Sequence, residues 1–201
     1  MTKVCEVNDY NTIVEDLKNG KVVGFPTETV YGLAIIYDNK EAFDKLYQIK
    51  DRSITKPIAM MVPDKEYIKI VANIDKNEKK VIDELMPGPI TIVFDAKDDL
   101  PYHVTMNQKT IGIRIPDYKI ANDILRLVNK PLLVTSANIS NKPALIKWED
   151  VLNTFDGKIS SLVKEDAASS APSTVVRIKD GLVIYREGPI SADTIKKVLG
   201  N

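Results

Sequence analysis

The stretches VVGF (22–25), MMV (60–62) and LLV (132–134) place apolar side chains on consecutive residues. A strand sends successive side chains to opposite faces, so each run needs cover on both sides of a sheet. Runs of this kind at 22–25, 58–62, 90–94, 111–115, 132–135, 174–178 and 182–185 are predicted strands. Between them, 11–18, 40–49, 76–86, 120–128, 146–152 and 192–199 carry helical spacing, with Asp9, Asp75 and Ser191 placed to cap helix N-termini. Strands interleaved with helices along the whole length predict an α/β fold. The 201 residues contain no repeat and no long linker, so a single domain over 1–201 is expected, with 165–172 a loop inside it.

Composition narrows the function. Lys and Arg total 28, as do Asp and Glu, which removes a whole-molecule field for gripping nucleic acid. One cysteine, Cys5, forms no intrachain disulfide and is expected to be a small buried residue. The one histidine, His103, follows Pro101 and Tyr102 in a polar stretch and is expected at the surface; with one cysteine it assembles neither a catalytic triad nor a zinc set. No apolar run reaches the roughly 20 residues a bilayer needs, and the first ten residues have no apolar signal core. A soluble, cytoplasmic protein is expected.

Polar residues gather where the apolar runs end. GFPTETVYGLA (24–34) interrupts a buried run with Thr27, Glu28 and Thr29. Pro26 and Gly32 suit a turn for geometric reasons alone, whereas two hydroxyls and a carboxylate also suit a polar ligand at a strand end. IKDRSITKPI gathers Lys50, Arg52 and Lys56 before a strand, either a solvated face or an anion site. LVTSANIS sets Thr135, Ser136, Asn138 and Ser140 directly after a strand, either a turn or a ligand-facing set of donors and acceptors. Ser173, Thr174 and Arg186 lie across an expected hairpin, and Thr110 and Arg114 lie on TIGIRIP. Alternation puts Arg114 opposite Ile113 and Ile115, on the face of Gly112, where a guanidinium needs a partner. Glu28 and a ligand carboxylate are the two candidates.

PTETVYGLA, KDR with its later K-P, TIGIRIP, TSANIS and STVV followed by REG, in that order, resemble the YrdC-like family of threonylcarbamoyl-AMP synthases from about residue 22 to 188. The resemblance implies a twisted, mixed open sheet flanked by helices, with a concave, positively lined cavity, and a stand-alone form of the enzyme. It implies synthesis of L-threonylcarbamoyl-AMP from L-threonine, bicarbonate and ATP with release of pyrophosphate. Downstream proteins then transfer the threonylcarbamoyl group to tRNA. On the residues that match, Thr29, Arg114, Ser136 and Ser173 fall on the threonine side. Arg52 and Lys56 meet ATP phosphates, Lys50 and Arg52 being assigned catalytic roles. Thr110, Asn138 and Arg186 fall on the nucleotide side. Mg2+ is expected with ATP, with no dedicated protein metal site. Met61 stands where many relatives carry histidine. The alternatives are a paralogue of the same fold without synthase activity and an RNA-binding module for double-stranded RNA, tRNA or rRNA. Lys50, Arg52 and the Ser136-Ala137-Asn138 triplet weigh against the first, and zero net charge with sparse aromatics against the second.

Overall fold

The computed structural model describes residues 1–51, 53 and 57–200. Its elements run β1 (Lys3–Cys5), α1 (Asn11–Lys18), β2 (Val23–Phe25), β3 (Gly32–Ile36), α2 (Lys40–Ile49), β4 (Ala59–Met61), α3 (Lys65–Val71), β5 (Ala72–Asn73), α4 (Lys76–Leu85), β6 (Ile90–Ala96), α5 (Tyr102–Thr105), β7 (Thr110–Arg114), α6 (Lys119–Val128), β8 (Leu132–Ser136), α7 (Trp148–Phe155), β9 (Ser161–Val163), β10 (Thr174–Arg177), β11 (Val183–Arg186) and α8 (Ala192–Leu199). The strands form one mixed sheet in the order β1-β9-β2-β3-β8-β4-β7-β6-β10-β11, with β5 added to β6. Antiparallel pairs dominate the centre; β4 with β7 and β6 with β10 are parallel.

Both faces of the central strands are covered, as the runs of consecutive apolar residues require. Met60 and Leu133 enter a core with Phe43 and Leu46 of α2, Val81 and Ile82 of α4, and Val151 and Phe155 of α7. Their neighbours Met61 and Leu132 enter a second core with Ile13 and Leu17 of α1 and Ile120, Ile124 and Leu125 of α6. Each such side chain, taken from water, contributes about 1.5–3 kcal/mol. The second face is not covered to its end. Over β4, β7, β6 and β10 it meets the cavity described below.

The capping signals divide. Asp75 closes a capping box with Glu78, and Ser191 accepts from the Thr194 amide. Asp9 does not cap α1: Tyr10 holds the N-cap position with no side-chain bond, and the Asp9 amide is turned to Glu6. His103 is a correction too. It is buried at 8% exposure, its ring packs edge-on against Phe43 at 5.2 Å, and Nε2 meets the Tyr37 carbonyl at 2.9 Å. Cys5 is buried and unpaired, and burial pushes its thiol up from its ordinary value.

Candidate functional site

The interruption at 26–31 is the connection between β2 and β3, which pair antiparallel with Phe25 opposite Gly32. The chain does not resume its strand; it turns back beside it. Gly32 permits the close approach, since a Cβ there would lie 2.9 Å from Val134 Cγ1. The buried backbone of this connection is satisfied by two other loops. Tyr31 donates to Leu145 O at 3.1 Å, while Ala137, Ala168 and Ser169 donate to the carbonyls of Tyr31, Thr27 and Thr29 at 2.7, 3.0 and 3.0 Å.

Hydroxyl hydrogens can be followed one by one here. Thr27 Oγ1 donates to Val30 O at 2.8 Å, which uses its single hydrogen. The 2.9 Å contact between Thr27 and Thr29 Oγ1 atoms therefore takes its hydrogen from Thr29. Arg114 Nη2 then donates to Thr29 Oγ1 at 3.0 Å. Thr29 is left with one lone pair and no hydrogen to offer, so a ligand group seated on it must be a donor. The same Nη2 pairs with Glu28 Oε1 at 2.8 Å. Both candidate readings of Arg114 thus meet in one side chain: it has a protein carboxylate beside it and it lines a cavity.

That cavity holds about 480 Å³. Its floor is the uncovered part of the sheet, paved by small side chains: Ala59, Thr91, Val93, Gly112 and Val175. Thr29, Thr110, Arg114, Ser136, Ser173 and Arg186, all predicted site residues, share its lining, and Met61 lies beside Arg114 in the register of β4 and β7. Arg186 reaches across the hairpin, donating from Nε to Ser173 O at 2.9 Å and from Nη2 to Ser173 Oγ at 3.0 Å. Thr91 Oγ1 shares a 2.9 Å bond with Ser173 Oγ. Thr91 was not among the sequence candidates. It lies between Ile90 and Ile92 on a buried strand, and its alternation onto the face of Arg114 is the one signal that marks it.

Two predicted residues stand behind the lining rather than on it. Lys50 is 1% exposed, and its ammonium donates to the Ser136 carbonyl, to Asn138 O at 2.7 Å and to Asn138 Oδ1 at 3.1 Å. Asn138 Oδ1 also accepts from Ser136 Oγ at 2.6 Å, while its amide donates to Ile139 and Lys142 carbonyls at 3.0 and 2.7 Å. These bonds fix the loop after β8. Arg52 and Lys56 fall outside the described residues. The Tyr31 ring lines the cavity, but its hydroxyl donates away to Val163 O and burial holds the phenol well above its ordinary value, so it is no proton acceptor for a ligand. Among the described residues no group of three or more His, Cys, Asp or Glu is placed to hold a metal, and no helix is long and apolar enough to cross a membrane.

Among the described residues the charged side chains on the cavity lining are two guanidiniums, Arg114 and Arg186, and no carboxylate. Two guanidiniums and several hydroxyls over such a floor suit a small anionic or zwitterionic ligand. The chain belongs to the Sua5/YciO/YrdC family, described as "Telomere recombination", whose sequence profile matches residues 15–188. A Methanocaldococcus jannaschii relative is 36% identical over 196 residues, covering 94% of this chain and 92% of that one. The threonylcarbamoyl-AMP synthase of Bacillus subtilis is 32% identical over 188 residues, 92% of this chain but 54% of its own length. Against solved structures, Pyrococcus abyssi Sua5 complexed with L-threonine matches with a TM-score of 0.93 and 26% identity, over 100% of this chain and 61% of that one. Escherichia coli YciO matches at 0.90 with 20% identity, over 97% and 100%, which is a likeness of fold.

Proposed function

We propose that this chain is a threonylcarbamoyl-AMP synthase, joining L-threonine, bicarbonate and ATP into L-threonylcarbamoyl-AMP with release of pyrophosphate, for threonylcarbamoyladenosine modification of tRNA. The observation that carries the reading is Arg114, a buried strand guanidinium lining a cavity of about 480 Å³ in a chain of this family. The Bacillus subtilis relative bears the synthase name, and the Pyrococcus abyssi neighbour was solved with L-threonine.

The chemistry asks for positioning more than for a reactive side chain. The neutral threonine amine adds to CO2 with loss of a proton, or condenses with bicarbonate with loss of water, to give a carbamate; a carbamate oxygen attacks the α-phosphorus, and the bond to pyrophosphate breaks. Holding two poorly reactive partners in line and offsetting negative charge supply the rate. In this reading Arg114 takes the amino-acid carboxylate, Thr29 accepts from the amine through its remaining lone pair, and Ser136 and Ser173 complete that side. Thr110 and Arg186 serve the nucleotide side; Arg52 and Lys56 meet the phosphates. Lys50 and Asn138 act by holding the loop that carries Ser136. Mg2+ arrives on the ATP phosphates. Residues 1–201 form one domain working in the cytoplasm, and its product passes to downstream tRNA threonylcarbamoyl-transfer proteins.

The test is pyrophosphate release by the purified chain. Release requiring ATP, L-threonine and bicarbonate together is the expected result; release indifferent to threonine overturns the reading.

A further inference from the structure

The wall assigned to the amino acid contains a buried ion pair that the reaction itself does not demand. Glu28 and Arg114 have side chains 13% and 6% exposed, joined through one oxygen and one nitrogen at 2.8 Å. The same Glu28 Oε1 accepts the Asp117 amide at 2.9 Å. Glu28 Oε2 and Arg114 Nε are buried without a hydrogen-bond partner. A carboxylate and a guanidinium arranged for each other close as a fork with two parallel bonds. Here half of the fork is made. Arg114 lines the cavity and Glu28 does not, so the carboxylate stands behind the guanidinium as seen by a ligand.

We infer that Glu28 is a specificity-determining residue, which neutralises Arg114 from behind and tunes this end of the cavity to a zwitterionic amino acid over a ligand that brings a carboxylate alone. An uncompensated guanidinium in a dry wall attracts any anion. With Glu28 in place, a bare carboxylate is drawn by Arg114 and repelled by Glu28, and the two largely offset. An amino acid adds an ammonium, which Arg114 repels and Glu28 attracts, so the Glu28 charge that weakens a bare carboxylate is offset by its attraction for the amine of a zwitterion. Discrimination then comes from a repulsive element as well as an attractive one. In the low dielectric of a protein wall, opposing charges several ångströms away shift affinity by roughly tenfold or more.

The inference rests on the amino-acid reading of Arg114, and one experiment separates the two. Calorimetry without nucleotide compares L-threonine with 3-hydroxybutyrate, the same carbon skeleton lacking the amine, on the parent, Glu28→Gln and Glu28→Asp. Glutamine keeps an acceptor for the Asp117 amide and removes the charge; aspartate keeps the charge. The parent is expected to prefer threonine, the preference is expected to fall roughly tenfold in Glu28→Gln, chiefly through tighter hydroxybutyrate binding, and Glu28→Asp is expected to retain it. A preference in Glu28→Gln within about twofold of the parent's overturns the inference alone, as does a folded Glu28→Asp that loses it. A parent that binds neither compound overturns the amino-acid reading and this inference with it.

Discussion

Arg114 meets its protein partners through a single nitrogen, Nη2, which serves both Glu28 and Thr29. A lysine ammonium can imitate one nitrogen but not the planar fork that grips a ligand carboxylate. Arg114→Lys is therefore expected to melt near the parent's temperature while its KM for threonine rises about 10- to 150-fold, the equivalent of losing about 1.5–3 kcal/mol of charge-assisted bonding. A marked drop in melting temperature with unchanged threonine dependence would confine Arg114 to a structural role. Thr91 gives a subtler case. Thr91 and Ser173 own two hydroxyl hydrogens and share one bond, while Arg186 fills a Ser173 lone pair. Facing an anionic ligand, Thr91 donates to Ser173 and frees the serine hydrogen for the ligand. Thr91→Val keeps the shape and removes the donor; about a three- to tenfold rise in threonine KM is expected, with Thr91→Ser close to the parent. Equal kinetics in the valine and serine variants would remove Thr91 from the site.

At the scale of elements, LVTSANIS and IKDRSITKPI are the ambiguous stretches, because hydroxyl residues suit a turn or a ligand and basic residues suit a solvated face or an anion site. For Lys50, burial favours a role in anchoring the loop after β8. Its ammonium binds carbonyls of Ser136 and Asn138, so Lys50→Met leaves buried acceptors unmet and is expected to cost about 1–3 kcal/mol of stability, read by urea unfolding. If the variant unfolds like the parent and only its KM for ATP rises, Lys50 is a phosphate contact after all. Elements with a strong period or a cap were legible: 11–18, 40–49 and 192–199 were predicted with the bounds of α1, α2 and α8. The strands β1, β5 and β9 have two or three residues each, too few to display alternation. α3, seven residues capped by Asp64, is also too short for its spacing to stand out. For α7 the predicted 146–152 falls early: the helix starts at Trp148, where the Asp166 carboxylate, distant in sequence, accepts its amide at 3.0 Å. Arg114 stands out because a polar group inside an apolar run needs a reason, and Ser173 because it faces Arg186 across the expected hairpin; His103 does not, because its cover, Phe43, comes from another helix.

At the scale of the molecule the site exists because one face of the sheet is covered by helices over part of its width; the far edge joins the core through Val176 and Ile178 on the other face and needs a separate fastening on the cavity face. Asp95, at the end of β6, takes up that task. Its carboxylate binds Arg177 Nη2 of β10 at 2.8 Å and the Lys179 ammonium beyond it, while its backbone pairs with both β5 and β7. The Lys179 and Arg177 contacts hold its carboxyl below the usual aspartate range. Because the folded pKa lies below the unfolded one, the stabilisation is present above the unfolded value and is lost as pH falls through the folded value. Glu78 runs the other way. Burial raises its pKa, so its contribution is largest below the ordinary glutamate range and is lost as pH rises through the folded value. Asp95→Asn isolates the first of these limbs. The side chain is 27% exposed, which screens the pairs, so a loss of about 1 kcal/mol at neutral pH is expected. The informative quantity is the gap between parent and variant in urea unfolding as pH is lowered from about 7 to about 3. It is expected to narrow toward the acid end, as protonation begins to weaken the hold of the carboxylate on Arg177 and Lys179. A gap that stays constant over that range would mean that Asp95 fastens the edge through its shape and hydrogen bonds, with its charge contributing nothing.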